Sequence, residues 1–233
     1  MAAMVETIAK NLHRVRECVA RAADRLGRNA DEVTIIAVSK THPADAIRSA
    51  YEAGLRHFGE NRVQEWEGKR DHLNDLDATW HMIGHLQRNK LGRAVQLFNT
   101  VDSVDSIQQI NDIERLVKGS RPLPILLEVR MDQTSAKTGF EKEEVPAAVK
   151  AAFASQKIEL RGLMCIPPYF DVADQARVFF RGLRELRDEL AFRYERALPA
   201  LSMGMSHDFE VAIEEGATEI RLGTALFGPR QSL

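Results

Sequence analysis

The sequence predicts an α/β fold: a single (β/α)8 barrel with one extra helix at the N-terminus. Three observations carry that prediction. Short apolar runs rich in β-branched residues alternate with longer amphipathic stretches along the whole chain, and strands alternating with helices pair in parallel through right-handed crossovers. Eight such runs are present, and eight βα units close into a barrel. No G-x-G-x-x-G follows any of them, which disfavours the alternative, an open doubly wound sheet. The length, 233 residues, suits one barrel of about 250 residues. No linker-like segment marks a boundary, so one domain is expected over 1–233.

The elements follow in order. Residues 4–26 form an amphipathic helix stopped by Gly27. Val33–Ser39 is the first strand, an almost unbroken apolar run. Pro43 opens a helix over 43–53 that stops at Gly54. The remaining strands are read at 56–59, 79–84, 98–101, 123–130, 158–166, 198–203 and 219–223. The helices between them are read at 61–72, 88–96, 104–117, 141–155, 172–194 and 206–215. Because the chain nearly stops after the last strand, the N-terminal helix is expected to cover the surface an eighth helix would cover.

Composition narrows the function. Hydrophobic residues are 44% and charged residues 28%, a globular balance rather than a disordered one. The net charge of −2 gives no bulk reason to bind nucleic acid or an anionic membrane. Nothing approaches a membrane-spanning run. Cys18 and Cys165 form no metal or disulfide pattern, which suits a reducing cytoplasm. The stretch from Lys10 to Arg28 carries six basic and two acidic residues; it reads as a surface helix rather than a transit peptide. His81 and His85 straddle a strand end, so no metal site is expected from their spacing. Ser206, His207 and Asp208 are adjacent and cannot converge as a triad. The charged run 181–196 reads as a solvated helix face.

Barrel active sites lie at the C-terminal ends of the strands. There the first strand delivers Lys40, on the same face as Ile36 and Val38. Burial lowers a lysine pKa and frees the amine to attack a carbonyl. From position alone, a solvent-reaching lysine or a pair with Glu60 is an equal alternative. The seventh and eighth strands deliver Ser202–Ser206 and Arg221–Thr224. The loops after these two strands commonly hold phosphate. Ser206, Thr224 and backbone N–H groups could cradle it, with Gly204 and Gly223 allowing close approach. A reactive lysine beside a phosphate cup suggests a phosphorylated aldehyde.

Six segments then resemble one family, the pyridoxal phosphate homeostasis proteins. They are Ala37–Thr41, Phe58–Glu65, Trp80–Lys90, Gly162–Pro168, Leu201–Asp208 and Ile220–Gly228. The family is similar in fold to the N-terminal barrel of alanine racemase and to that of ornithine decarboxylase. The resemblance implies that Lys40 holds pyridoxal 5′-phosphate as an imine. It implies that Ser206, Gly223 and Thr224 bind the phosphate with Ser202 nearby, and that Arg221 faces the pyridine nitrogen. Asn61, His81 and Met82 fall on motif positions lining the pocket. Two positions depart from the family pattern: His42, where a second lysine is frequent, and Cys165, where a threonine is.

An arginine at the ring nitrogen disfavours its protonation and weakens the ring as an electron sink. Racemases of this kind compensate with a second base from an additional domain, for which this chain has no room. No catalytic residue is therefore expected. The expectation is a cytoplasmic, monomeric protein that holds the cofactor and delivers it to apoenzymes; Lys137 reads as a solvated loop lysine, with a transient second imine during loading or release as the alternative. The rivals are a weak amino-acid racemase or decarboxylase, a lysine-dependent aldolase, and a partner-binding module.

Overall fold

A computed structural model describes residues 2–132 and 138–228. Eight parallel strands close into a barrel in sequence order, with the last paired to the first. They are β1 (Thr34–Val38), β2 (His57–Glu60), β3 (Thr79–Met82), β4 (Thr100–Val104), β5 (Leu123–Glu128), β6 (Ile158–Met164), β7 (Ala200–Met205) and β8 (Glu219–Leu222). Among the described residues the helices are α1 (Ala2–Asp24), α2 (Ala44–Glu52), α3 (Val63–Arg70), α4 (Leu91–Leu97), α5 (Ile107–Leu116), α6 (Val145–Ala154), α7 (Arg177–Tyr194), α8 (Phe209–Glu214) and α9 (Thr224–Phe227). No described helix is long and apolar enough to cross a membrane.

Alternation along each strand sorts side chains to two sides. Outward residues meet the helices. Trp80 stacks on Trp66 of α3 with ring centroids 3.7 Å apart, and Phe58 lies 5.1 Å from Trp80. Inward residues fill the axis, where Leu126, Met164 and Ala200 form an apolar cluster of their own. The buried face of α1 is Ile8, Leu12, Val15, Val19, Ala22 and Ala23, spaced as one helical stripe. α1 lies against α2, α8 and α9, and Asn11 Nδ2 donates to Leu226 O at 2.9 Å. The N-terminal helix thus occupies the flank that the short α9 leaves open.

Two readings are corrected. The fourth strand runs through Val104 and not from Phe98 to Val101, because its inward residues Thr100 and Asp102 are polar and break the apolar pattern. The run 181–196 is only partly a solvated face. Arg181 and Arg184, with Arg177, converge on the buried Glu215 and pin α7 to the C-terminal end of α8.

Candidate functional site

Lys40 stands two residues past the end of β1, partly buried, in the turn before α2. That turn is held from below. Thr41 adopts φ 67°, a left-handed conformation that costs a threonine about 1–3 kcal/mol. Its N–H donates to Glu65 Oε1. Lys69 Nζ donates to Ser39 O at 3.0 Å, to Glu60 Oε1 at 3.1 Å and to Glu65 Oε1 at 2.7 Å. Outside the barrel wall Glu60 Oε1 accepts from both Ser39 Oγ and Lys69 Nζ, while its Oε2 is buried without a hydrogen-bond partner. Burial raises the Glu60 pKa, and Lys69 only partly offsets this. For Glu65 burial works upward too, but the bonds from Lys69 and Thr41 win and lower it. The His42 ring stacks on Phe227 of α9 at 4.4 Å, which ties the Lys40 turn to the end of the chain that follows β8.

The second half of the rim is the turn after β7. Gly204 has φ +94°, and a Cβ there would stand 2.6 Å from Ala212 Cβ, so only glycine fits. Asp208 Oδ1 accepts from Met205 N–H at 2.6 Å, which folds Ser206 back over the strand end. Ser206 Oγ accepts from Ala225 N–H at 3.2 Å. The hydroxyl and the first turn of α9 are thereby placed side by side. Gly223 begins that turn, and a Cβ built on it would lie 3.8 Å from Val38 Cβ. Val38 is the inward residue one step below Lys40. The structure brings Lys40, Ser206, Gly223 and Thr224 to one arc of the rim, across the β8–β1 pair.

Inside the barrel, Arg221 is buried. Its Nη1 donates to Ser202 Oγ at 2.8 Å and its Nη2 to Cys165 O at 2.7 Å. Ser202 thus holds Arg221 from within the wall. Glu128 ends β5 nearby; burial raises its pKa, against a 3.0 Å bond from Thr138. Asn61 lies at the rim after β2, where a Cβ on Gly84 would stand 2.4 Å from Asn61 O. Met82 is buried beside Asn61 in a rim cleft of about 640 Å³ between the β2 and β3 loops. His81 goes elsewhere. Its ring points into the barrel, 2.7 Å from Asp102 and 3.0 Å from His57, and lines a cavity at the N-terminal end. Burial pushes His57 down to about 4. Burial also opposes charge on His81, but Asp102 outweighs it and raises the pKa. Tyr169 is 75% exposed beside the His207 ring. Lys137 lies outside the described residues.

Lys69, Glu65 and Asp208 are supports that sequence reading missed. The Glu65–Lys69 spacing is a visible i,i+4 pair, but nothing in sequence shows that the amine also reaches Ser39. Cys18 and Cys165 are free thiols. Burial pushes Cys165 up to about 12. Iodoacetamide at pH 8 is therefore expected to leave Cys165 unmodified in the native protein and to label it after denaturation; native labelling, read by peptide mass, would refute this burial.

Comparison with known proteins shows the family. The family model for the alanine racemase N-terminal domain matches residues 8–231. The pyridoxal phosphate homeostasis protein of Aquifex aeolicus is 43% identical over 223 residues, covering 95% of this chain and 98% of that one. Its counterpart in Escherichia coli K12 is 39% identical over 236 residues, covering 96% and 97%. The solved structure of PipY from Synechococcus elongatus, described with PLP bound, is 40% identical with a TM-score of 0.83, covering 95% of this chain and all of that one. With this fold and these relatives along nearly its whole length, the chain belongs to the pyridoxal phosphate homeostasis protein family.

Proposed function

We propose that the protein binds pyridoxal 5′-phosphate at the C-terminal rim, holds it through Lys40, and serves intracellular homeostasis and delivery of that cofactor. The observation that carries the reading is the shared arc of Lys40 on β1 with Ser206, Gly223 and Thr224 beside β8. Those residues fit the group. The hydroxyl of Ser206 and the first turn of α9 offer donors for a phosphate, and glycine at 223 leaves the space a side chain would take. When bound, the aldehyde would supply an electrophilic carbonyl, and Lys40 would hold it reversibly through its amine with loss of water. Arg221, fixed by Ser202 and Cys165 O, stays charged and sets the electrostatics below the ring. Asn61 borders the rim next to Lys40, at the end of the neighbouring β2. Met82 and Ser202 support the wall in this reading, and His81 serves the other end of the barrel.

Lys40 is only partly buried, which suits exchange of the held aldehyde with apoenzyme acceptors. We read the protein as a cytoplasmic monomer, one alanine-racemase-like barrel over 1–233, with a carrier role and no catalytic residues of its own. Titration with pyridoxal phosphate, followed by mixing with a cofactor-depleted acceptor enzyme, tests this. A visible absorbance that saturates at one equivalent and then declines as acceptor activity appears is expected. Absorbance that never develops, or bound cofactor that never transfers, would contradict binding or delivery respectively.

Gly223→Ala isolates the cradle. The added methyl makes only ordinary contacts, 3.8 and 3.9 Å to Val38, so folding should be untouched. It fills phosphate space, and pyridoxal phosphate affinity is expected to fall about 10-fold, roughly 1.4 kcal/mol. Affinity for pyridoxal, which has no phosphate, should change less. Equal losses for both, measured by equilibrium titration, would place the phosphate elsewhere.

A further inference from the structure

The barrel interior carries a second group of titratable side chains that the cofactor reading does not use. His57, Thr79, Thr100 and Glu219 are the first residues of β2, β3, β4 and β8, so they mark the end opposite Lys40. Together with Thr34, His81 and Asp102 they line a cavity of about 690 Å³. One donor atom each from His81, Asp102 and Glu219 lie within 4.8 Å of one another. Thr100 Oγ1 donates to Asp102 Oδ1 at 2.7 Å, while Asp102 Oδ2 faces His81 Nδ1. Glu219 Oε2 is buried without a hydrogen-bond partner. A buried carboxylate oxygen left without a donor is costly, and a second carboxylate beside it adds repulsion. His81 and Arg221 act on Glu219 electrostatically, yet no donor reaches its Oε2 at the point where the donor atoms converge.

We propose that His81, Asp102 and Glu219 form a binding site for a divalent transition-metal ion, with zinc the best match. One imidazole nitrogen and two carboxylate oxygens, with the fourth position open to the cavity, are a donor set that zinc accepts. A dication balances the two carboxylates and gives Glu219 Oε2 its partner. Ligand atoms around zinc at about 2.0–2.1 Å stand roughly 3.4 Å apart, so pairs near the 4.8 Å bound close by little more than an ångström, while His81 Nδ1 and Asp102 Oδ2, now 2.7 Å apart, open by less than that. His57, 3.0 Å from His81 Nε2, orients the ligating ring through its other nitrogen, as such rings require. Lys118, Arg121 and Arg161 also line the cavity and give an approaching cation no help, so recognition rests on the inner cluster. Sequence spacing cannot show this site, because its ligands come from three strands.

The test uses the full chain, stripped with chelator and dialysed against micromolar zinc chloride at neutral pH, with metal read by mass spectrometry. One zinc per chain is expected. Glu219→Gln and Asp102→Asn are each expected to lower retained zinc about 10-fold or more. His85→Ala, which removes the exposed His85–Asp105 pair, is expected to retain it. Wild-type protein that holds no zinc overturns the proposal, whatever the variants do. Zinc undiminished in both carboxylate variants overturns it equally, by placing the ion on other groups.

Discussion

Lys40→Ala is expected to abolish the visible absorbance that the protein develops with pyridoxal phosphate and to weaken retention about 100-fold, roughly 2.7 kcal/mol. The size of the effect follows from what remains. Ser206, Gly223 and Thr224 still offer the phosphate cup, and Arg221 is still clamped by Ser202 and Cys165 O. What disappears is the one amine on the Ile36–Val38 face of β1, and with it the reversible covalent link. The fold should survive. Lys40 is partly exposed at a strand end, and truncation there opens no core cavity. The Thr41 turn keeps its own support through Glu65 and Lys69. Circular dichroism should therefore match the wild type while the visible band is lost. A variant that keeps the band would transfer the covalent role to another lysine.

Gly162→Ala should cost the most stability of any single methyl considered. Gly162 sits in β6 opposite Ala200 of β7. A Cβ there would stand 1.9 Å from Ala200 O and 2.7 Å from its carbonyl carbon. Both obstacles are backbone, so no rotamer change relieves the clash; the β6–β7 pair must separate. Overpacking typically costs about 1–3 kcal/mol and more where backbone must move, so a loss of about 3 kcal/mol is expected. For a chain of this size that is a fall of roughly 6–12 °C in Tm. Because β7 leads into the Ser206 turn, cofactor affinity should drop with it. A thermal scan showing an unchanged Tm would contradict the closeness of these two strands.

The barrel is legible because its outer wall obeys simple patterning. Val33–Ser39 is apolar enough to be read as a strand at once, and the observed Thr34–Val38 differs only at its frayed ends. Helix ends moved inward by a few residues wherever capping turns were absorbed into the helix. The helix read at 206–215 begins at Phe209, because Ser206–Asp208 are spent on the Asp208–Met205 turn. The interior is what the pattern hides. His57, His81, Asp102, Glu219 and Arg221 face the axis, where apolar residues are the usual filling; the strands of four of them are still read as strands, but Thr100 and Asp102 leave the fourth without an apolar run past Val101. β4 was misplaced for that reason.

The candidate site divides along the same line. Lys40, Ser206, Gly223 and Thr224 sit on strand ends, where topology alone brings them together. His81 occupies a motif beside Met82, yet strand alternation sends the two side chains to opposite sides of the wall. The supports Lys69 and Asp208 act through backbone carbonyl and N–H groups, which leave no compositional trace.

The central claim rests on where one covalent bond forms. Protein saturated with pyridoxal phosphate, reduced with borohydride and digested, is expected to yield a single pyridoxyl-modified peptide bearing the added mass at Lys40. An adduct on any other lysine, or none at all, would contradict the account.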